Sequence, residues 1–173
     1  MRRTLALLVL VTGCYVEGRP GVNAPIGNQG GTAFDFIAGA GGETQQDRVR
    51  AGGGLLIDLR GSQYVAVGGS GHAIVPITGV VDHLGNHILG VAHAGVALAR
   101  PYQYANGTDS SHDGALIETF VGVGYGRTDN DPNVHAGHGA IGFTTGFLAS
   151  SVGGSYWMIG GAIELSYGWD PWQ

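Results

Sequence analysis

Seven histidines, one cysteine and a sparse set of Ser, Asp and Glu are the side chains of this chain that could do chemistry. Metal binding is the first candidate. His83 and His87 stand four apart and His135 and His138 three apart, spacings that converge on one face of a helix but diverge on strands or in loops. No acidic residue completes a motif at a fixed offset, so on strands or in loops the histidines are expected without a ligand role, and no metal or other cofactor is expected. Ser110-Ser111-His112-Asp113 gathers nucleophile, base and acid in one short stretch, yet consecutive residues cannot orient one another as a triad. A polar loop is the expectation there. Gly68-Gly69-Ser70-Gly71-His72 misses the nucleophile elbow, because His72 stands where the second glycine belongs.

Gly137-His138-Gly139-Ala140-Ile141-Gly142 matches the dinucleotide fingerprint by letter. The next four residues, Phe143-Thr144-Thr145-Gly146, alternate like a strand and offer no helix N-terminus for a pyrophosphate. Asn106-Gly107-Thr108 fits a glycosylation acceptor but reads better as a turn. Glu118 and Glu164 could act as paired carboxylates in a glycosidase-like pocket; partners in a buried ion-pair network are the simpler role. No catalytic constellation emerges, and the chain is read as non-enzymatic.

The elements that carry these residues are signalled by composition. Glycine supplies 34 of 173 residues, which excludes a helix-rich fold. Hydrophobic residues reach 43% while charged ones make up only 12%, about half the usual share. That excludes a disordered tail and, with 13 acidic residues against eight Arg and a net charge of −5, a nucleic-acid partner. One cysteine allows no internal disulfide.

The N-terminus opens with Met1-Arg2-Arg3, continues through an apolar run from Thr4 to Val11 and reaches small residues before Cys14. This is the layout of a signal peptide, and the run is far shorter than the roughly 20 residues a membrane-spanning helix needs. Val11-Thr12-Gly13-Cys14 resembles the lipobox of bacterial lipoproteins. The resemblance implies cleavage before Cys14 and attachment of lipid, including palmitate, to that residue. It also implies an outer-membrane destination, since Tyr15 rather than Asp comes after the cysteine. Residues 1–13 are therefore expected as signal peptide and 14–31, rich in Gly and Pro, as lipidated cysteine and flexible tether. Part of that tether, around Val22 to Ile26, is an alternative first edge strand.

From residue 32 to 173 the dominant signal is alternation of period two. In Tyr156–Trp169 the odd positions carry Trp157, Ile159, Ile163, Leu165, Tyr167 and Trp169, while the even ones are small or polar apart from Tyr156 and Met158. In Arg48–Arg60 the odd face is apolar and every charge falls on the even face. Similar alternation marks Thr32–Gly41, Gln63–Ile77, Ala115–Tyr125 and Gly139–Phe147. His87–Arg100 switches its apolar parity between Val91 and Val96, which predicts a bulge near Ala94-Gly95. Turn residues separate these runs. Together they predict an all-β fold: a single antiparallel up-and-down β-barrel of about eight strands, one of them hidden in the tether or the irregular middle.

The faces of the strands indicate the medium outside the barrel. A soluble barrel buries its bulky face and needs a charged exterior, but the alternative face here is mostly Gly, Ala and Ser. The pattern over residues 32–169 resembles small outer-membrane barrels, whose apolar face meets lipid around a polar lumen. That resemblance implies Trp157, Ile159, Ile163, Leu165, Tyr167 and Trp169 as lipid-facing, and Arg48, Arg50, Asp58, Arg60, Glu118 and Glu164 as a lumen ion-pair network. Membrane lipid is the expected partner, together with an unidentified envelope protein, in a structural or interaction role. Two other functions compete: a soluble lipid-tethered barrel holding a small apolar ligand, as lipocalin-like proteins do, and a membrane-embedded lipid-modifying enzyme.

Overall fold

A computed structural model describes residues 13–27, 31–46, 49–61, 63–104, 106–128, 136–151 and 154–169. It contains eight strands in chain order: β1 Gly13–Pro25, β2 Ala33–Gln46, β3 Val49–Arg60, β4 Tyr64–Pro76, β5 His87–Pro101, β6 Gly114–Gly126, β7 Ala136–Ser150 and β8 Tyr156–Trp169. Each pairs antiparallel with its neighbour in sequence, and β1 pairs with β8 to close the barrel. Closure leaves no free strand edge. Among the described residues no helix is long and apolar enough to cross a membrane; two 3-10 turns, Tyr102–Tyr104 and Ser110–His112, sit in the β5–β6 connection.

The hidden strand lies where a tether was expected. Residues 13–25 form β1, hydrogen-bonded on both sides, so the flexible-tether reading is corrected for most of its length. Glycines and prolines conceal this strand in the sequence because they are poor strand formers. Pro20, which has no N–H, is accommodated locally. It pairs with Phe36 of β2, while the ladder to β8 runs to Gly18 opposite Leu165 and resumes only at Gly21 opposite Ala162. Both remaining edges need a partner, and β1 satisfies them together.

The expected bulge in β5 is absent. His93, Ala94 and Gly95 keep regular partners on β4 and β6, and odd residues point inward from His87 to Ala99. Parity holds; composition changes. Leu89 and Val91 belong to an interior apolar cluster with Ile74, Phe120, Ala140 and Ala162, whereas Val96 and Leu98 face out. An interior that is partly apolar lets hydrophobic residues occupy both faces of one strand.

The two faces of the wall differ sharply. On the outer face of the described strand residues stand Leu55, Leu98, Ile141, Phe143, Ile163 and their like, and the only charged side chain there is Arg100 at the end of β5. The inner face buries Glu17, Arg19, Asp35, Glu43, Arg50, Asp58, Arg60, Glu118 and Glu164. Glycine allows the wall to close tightly. Gly41 of β2 lies opposite Gly54 of β3, and a Cβ on Gly41 would stand 2.5 Å from the Gly54 Cα.

Candidate functional site

The interior of the barrel is the candidate site, and the described residues bury charged and polar side chains there. Near the end where β1 begins and β8 finishes, Arg50 of β3 donates from Nε and Nη2 to Glu43 of β2 at 2.7 to 3.2 Å. The residue opposite them on β8 is Gly168, where a Cβ would collide with the Glu43 carboxylate and come within 2.6 Å of Arg50 Nη2. The glycine makes room for the ion pair. His72 Nε2 of β4 lies 3.6 Å from Glu43 Oε2, and Tyr15 of β1 stands edge-on to the His72 ring at 4.4 Å.

Next along the lumen comes a cluster of carboxylates and imidazoles. Glu164 of β8 meets His138 Nε2 of β7 at 2.8 Å through one oxygen and His93 Nε2 of β5 at 2.8 Å through the other. His93 Nδ1 stands 3.3 Å from Glu17 of β1. Arg19 donates to Glu118 of β6 at 3.1 Å and lies 3.7 Å from Glu17. Glu17, His72 and His93 are all buried, and each offers a ligand atom within 4.8 Å of the others'. They are the described residues best placed to hold a metal ion.

Toward the opposite end, Tyr64 donates to Asp58 at 3.2 Å, Asn23 donates to Asp35, and Thr144 donates to Asn23 at 2.6 Å. Arg60 contacts the Tyr64 hydroxyl and the Met158 sulfur. A cavity of about 10 Å³ remains among these groups, about enough for one water. Ile37, Leu56, Tyr64, Leu116, Leu148 and Met158 pack around this end as an apolar plug.

Arg50, Asp58, Arg60, Glu118 and Glu164 thus all point inward and are buried; Arg48 lies outside the described residues. Their close partners are residues the pattern did not single out. Glu43 takes Arg50, Arg19 takes Glu118, Tyr64 takes Asp58, and two histidines take Glu164. Glu118 and Glu164 each have a separate basic partner, which does not favour their use as a catalytic pair. Trp157, Ile159, Ile163, Leu165 and Tyr167 point outward and are exposed, while Trp169 is half-buried with its ring 6.1 Å from that of Tyr167.

His72, His87 and His93 fall within stretches whose alternation reads as strand, and His138 adjoins another. All four sit on strands and are buried in the lumen. Motif spacing missed them because the cluster is assembled across strands. Alternation would have found it: the inward parity of β4, β5 and β7 passes through each one. His83 is exposed between β4 and β5, and His135 lies outside the described residues.

The remaining motifs take structural roles. Gly137–Gly142 and Gly68–His72 are stretches of strand, without the helix that a phosphate site or nucleophile elbow requires. In the β5–β6 connection, Ser111 Oγ lies 3.2 Å from His112 Nδ1, but the Asp113 carboxylate is held by Arg100 at 2.5 and 2.8 Å. Asp113 is thereby committed to Arg100, whose hydrogen bond keeps its carboxyl below the usual range. No protein-family model, no curated protein and no solved structure matches the chain.

Proposed function

We propose that this chain is a non-enzymatic, lipid-anchored β-barrel of a bacterial outer membrane, crossing the bilayer with its strands and serving a structural or interaction role in the envelope. One observation carries the reading. Across the outer face of eight strands the described residues include a single charged side chain, Arg100 at a rim, while nine Asp, Glu and Arg side chains are buried inside. Water outside such a wall would leave a continuous apolar surface exposed, far beyond the few hundred Å² common on soluble monomers. Hydrocarbon removes that cost.

Two further features support it. Trp157 and Tyr167 bracket β8 ten residues apart, about 25 Å along the normal for a strand tilted near 40°, and aromatic rings favour such interfaces. Cys14, the second residue of β1, stands opposite Trp169 and shares the outward parity of Val16. Acyl chains on its sulfur would enter the layer that receives the Tyr167 and Trp169 rings. The cavity beside the apolar plug leaves space for about one water, which supports a barrel closed at that end rather than conducting.

The test is folding of the full chain from denaturant with and without detergent micelles or phospholipid vesicles. The reading expects protease-resistant β-structure only when amphiphile is present. A monodisperse, folded protein in plain buffer would overturn it.

A further inference from the structure

The lumen contains more buried negative charge than its arginines balance. Six carboxylates, Glu17, Asp35, Glu43, Asp58, Glu118 and Glu164, share the interior with three guanidiniums, Arg19, Arg50 and Arg60. The imbalance is greatest where the histidines gather. Glu17, Glu43, Glu118 and Glu164 stand there with Arg19 and Arg50, and Arg50 is engaged by Glu43. Glu17 is the least satisfied. Its side chain is 1% exposed, neither oxygen accepts a hydrogen bond, and Arg19 remains 3.7 Å away. The Nδ1 atoms of His72 and His93 accept or donate no hydrogen bond, although the two side chains are only 1% and 2% exposed.

Buried polar groups left in this condition are uncommon and call for a missing partner. We infer that Glu17, His72 and His93 form a buried site for a divalent transition-metal ion, with Glu164 orienting His93. Two imidazoles and a carboxylate are the ligand chemistry of zinc and its first-row neighbours, whereas calcium and magnesium prefer oxygen alone. One of the three donor pairs already has the spacing of such a site. A tetrahedral ion with bonds of about 2.0–2.1 Å sets its donors roughly 3.3 Å apart, and His93 Nδ1 lies 3.3 Å from Glu17 Oε2.

The surroundings supply what such a site needs outside the ligands. A metal-bound histidine commonly directs its second nitrogen at a carboxylate, which fixes the ring. His93 Nε2 faces Glu164 at 2.8 Å, and Glu164 is held in turn by His138 at 2.8 Å. His72 Nε2 faces Glu43 at 3.6 Å, and Arg50 holds that carboxylate. The ion would offset two of the unbalanced charges and join β1, β4 and β5 across the lumen. This inference concerns the interior alone and stands whichever medium surrounds the wall.

The full chain, folded into detergent micelles in the presence of Zn²⁺ or Co²⁺ so that the site is loaded before the barrel closes, tests it. One equivalent of metal retained after gel filtration is expected, with Co²⁺ giving the intense visible absorption of tetrahedral nitrogen and oxygen coordination. The folded His72→Ala/His93→Ala variant should lose the metal. Glu164→Gln, which removes charge but little volume, should weaken binding about 10–100-fold. His83→Ala and His112→Ala should bind as the parent does. Should the double variant fail to fold, Glu17→Gln and Glu164→Gln decide by the same affinity measurement. Absence of retained metal in the folded parent, equal retention in the lumen variants, or loss in the His83 and His112 variants would each overturn the site.

Discussion

Arg50 and Glu43 are joined side by side inside the barrel, with three N–H···O contacts of 2.7, 2.9 and 3.2 Å and almost no exposure to solvent. The glycine at 168 leaves the space they occupy. Breaking one member of such a pair strands the other charge in a low-dielectric interior. Arg50→Ala is therefore expected to destabilise the barrel by about 3–5 kcal/mol, and Glu43→Gln combined with Arg50→Met by less. Denaturant titration in micelles measures both; equal costs for the single and double changes would refute the pairing as the source.

The outer face makes a second prediction. Ile163 lies near the middle of β8, exposed and level with Ile141. With hydrocarbon outside, Ile163→Arg should cost about 2–4 kcal/mol, while Ile77→Arg, just beyond the end of β4, should cost no more than about 1 kcal/mol. The folded fraction in phospholipid vesicles reads the difference. Equal tolerance of both changes would argue against a lipid-facing band.

Close approach of β2 and β3 predicts unequal costs for two glycines. A Cβ at Gly54 would stand 2.5 Å from the Gly41 Cα, whereas one at Gly69 meets the Gly54 carbonyl oxygen at 3.5 Å. Gly54→Ala should cost about 1–3 kcal/mol through forced backbone movement, and Gly69→Ala should stay within about 0.5 kcal/mol. Unfolding midpoints of the two variants make the comparison.

Acid should loosen the β4–β5 connection. Asp82 accepts hydrogen bonds from the Tyr125 hydroxyl, from Asn86 Nδ2 at 2.9 Å and from the Asn86 and Leu84 amides at 2.8 Å. The Tyr125 hydroxyl, followed by Asn86, holds its carboxyl well below the usual carboxylate range. The unfolded loop, titrating near pH 3.9, therefore binds the proton first. Stabilisation by Asp82 is full above about pH 3.9 and disappears as pH falls through the folded value. Limited proteolysis at Val80–Leu84 should rise only in acid, and Asp82→Asn should remove that dependence. A transition near neutral pH would contradict the assignment.

Lipid attachment has its own test. Cys14→Ser, expressed in a bacterial host with labelled palmitate, should abolish incorporation. The outward parity of residue 14 on β1 predicts that strand pairing and barrel closure survive the change. Undiminished labelling would exclude Cys14 as the acceptor.

Much of this molecule is written locally in its chain. A pleated strand turns successive side chains to opposite sides, so the division of Leu55, Ile57 and Leu59 from Arg50, Asp58 and Arg60 is visible residue by residue. Repetition of that pattern between turns implies the antiparallel barrel. What alternation cannot encode is who meets whom across the lumen. Arg19 finds Glu118 and His93 finds both Glu17 and Glu164 because closure fixes the stagger of all eight strands at once. The same closure makes a strand of residues 13–25, where Gly and Pro weaken the local preference but two open edges demand a partner. Period and face were properties of the sequence; the identity of β1, the uninterrupted parity of β5 and the gathering of His72, His93 and His138 around buried carboxylates belong to the tertiary structure.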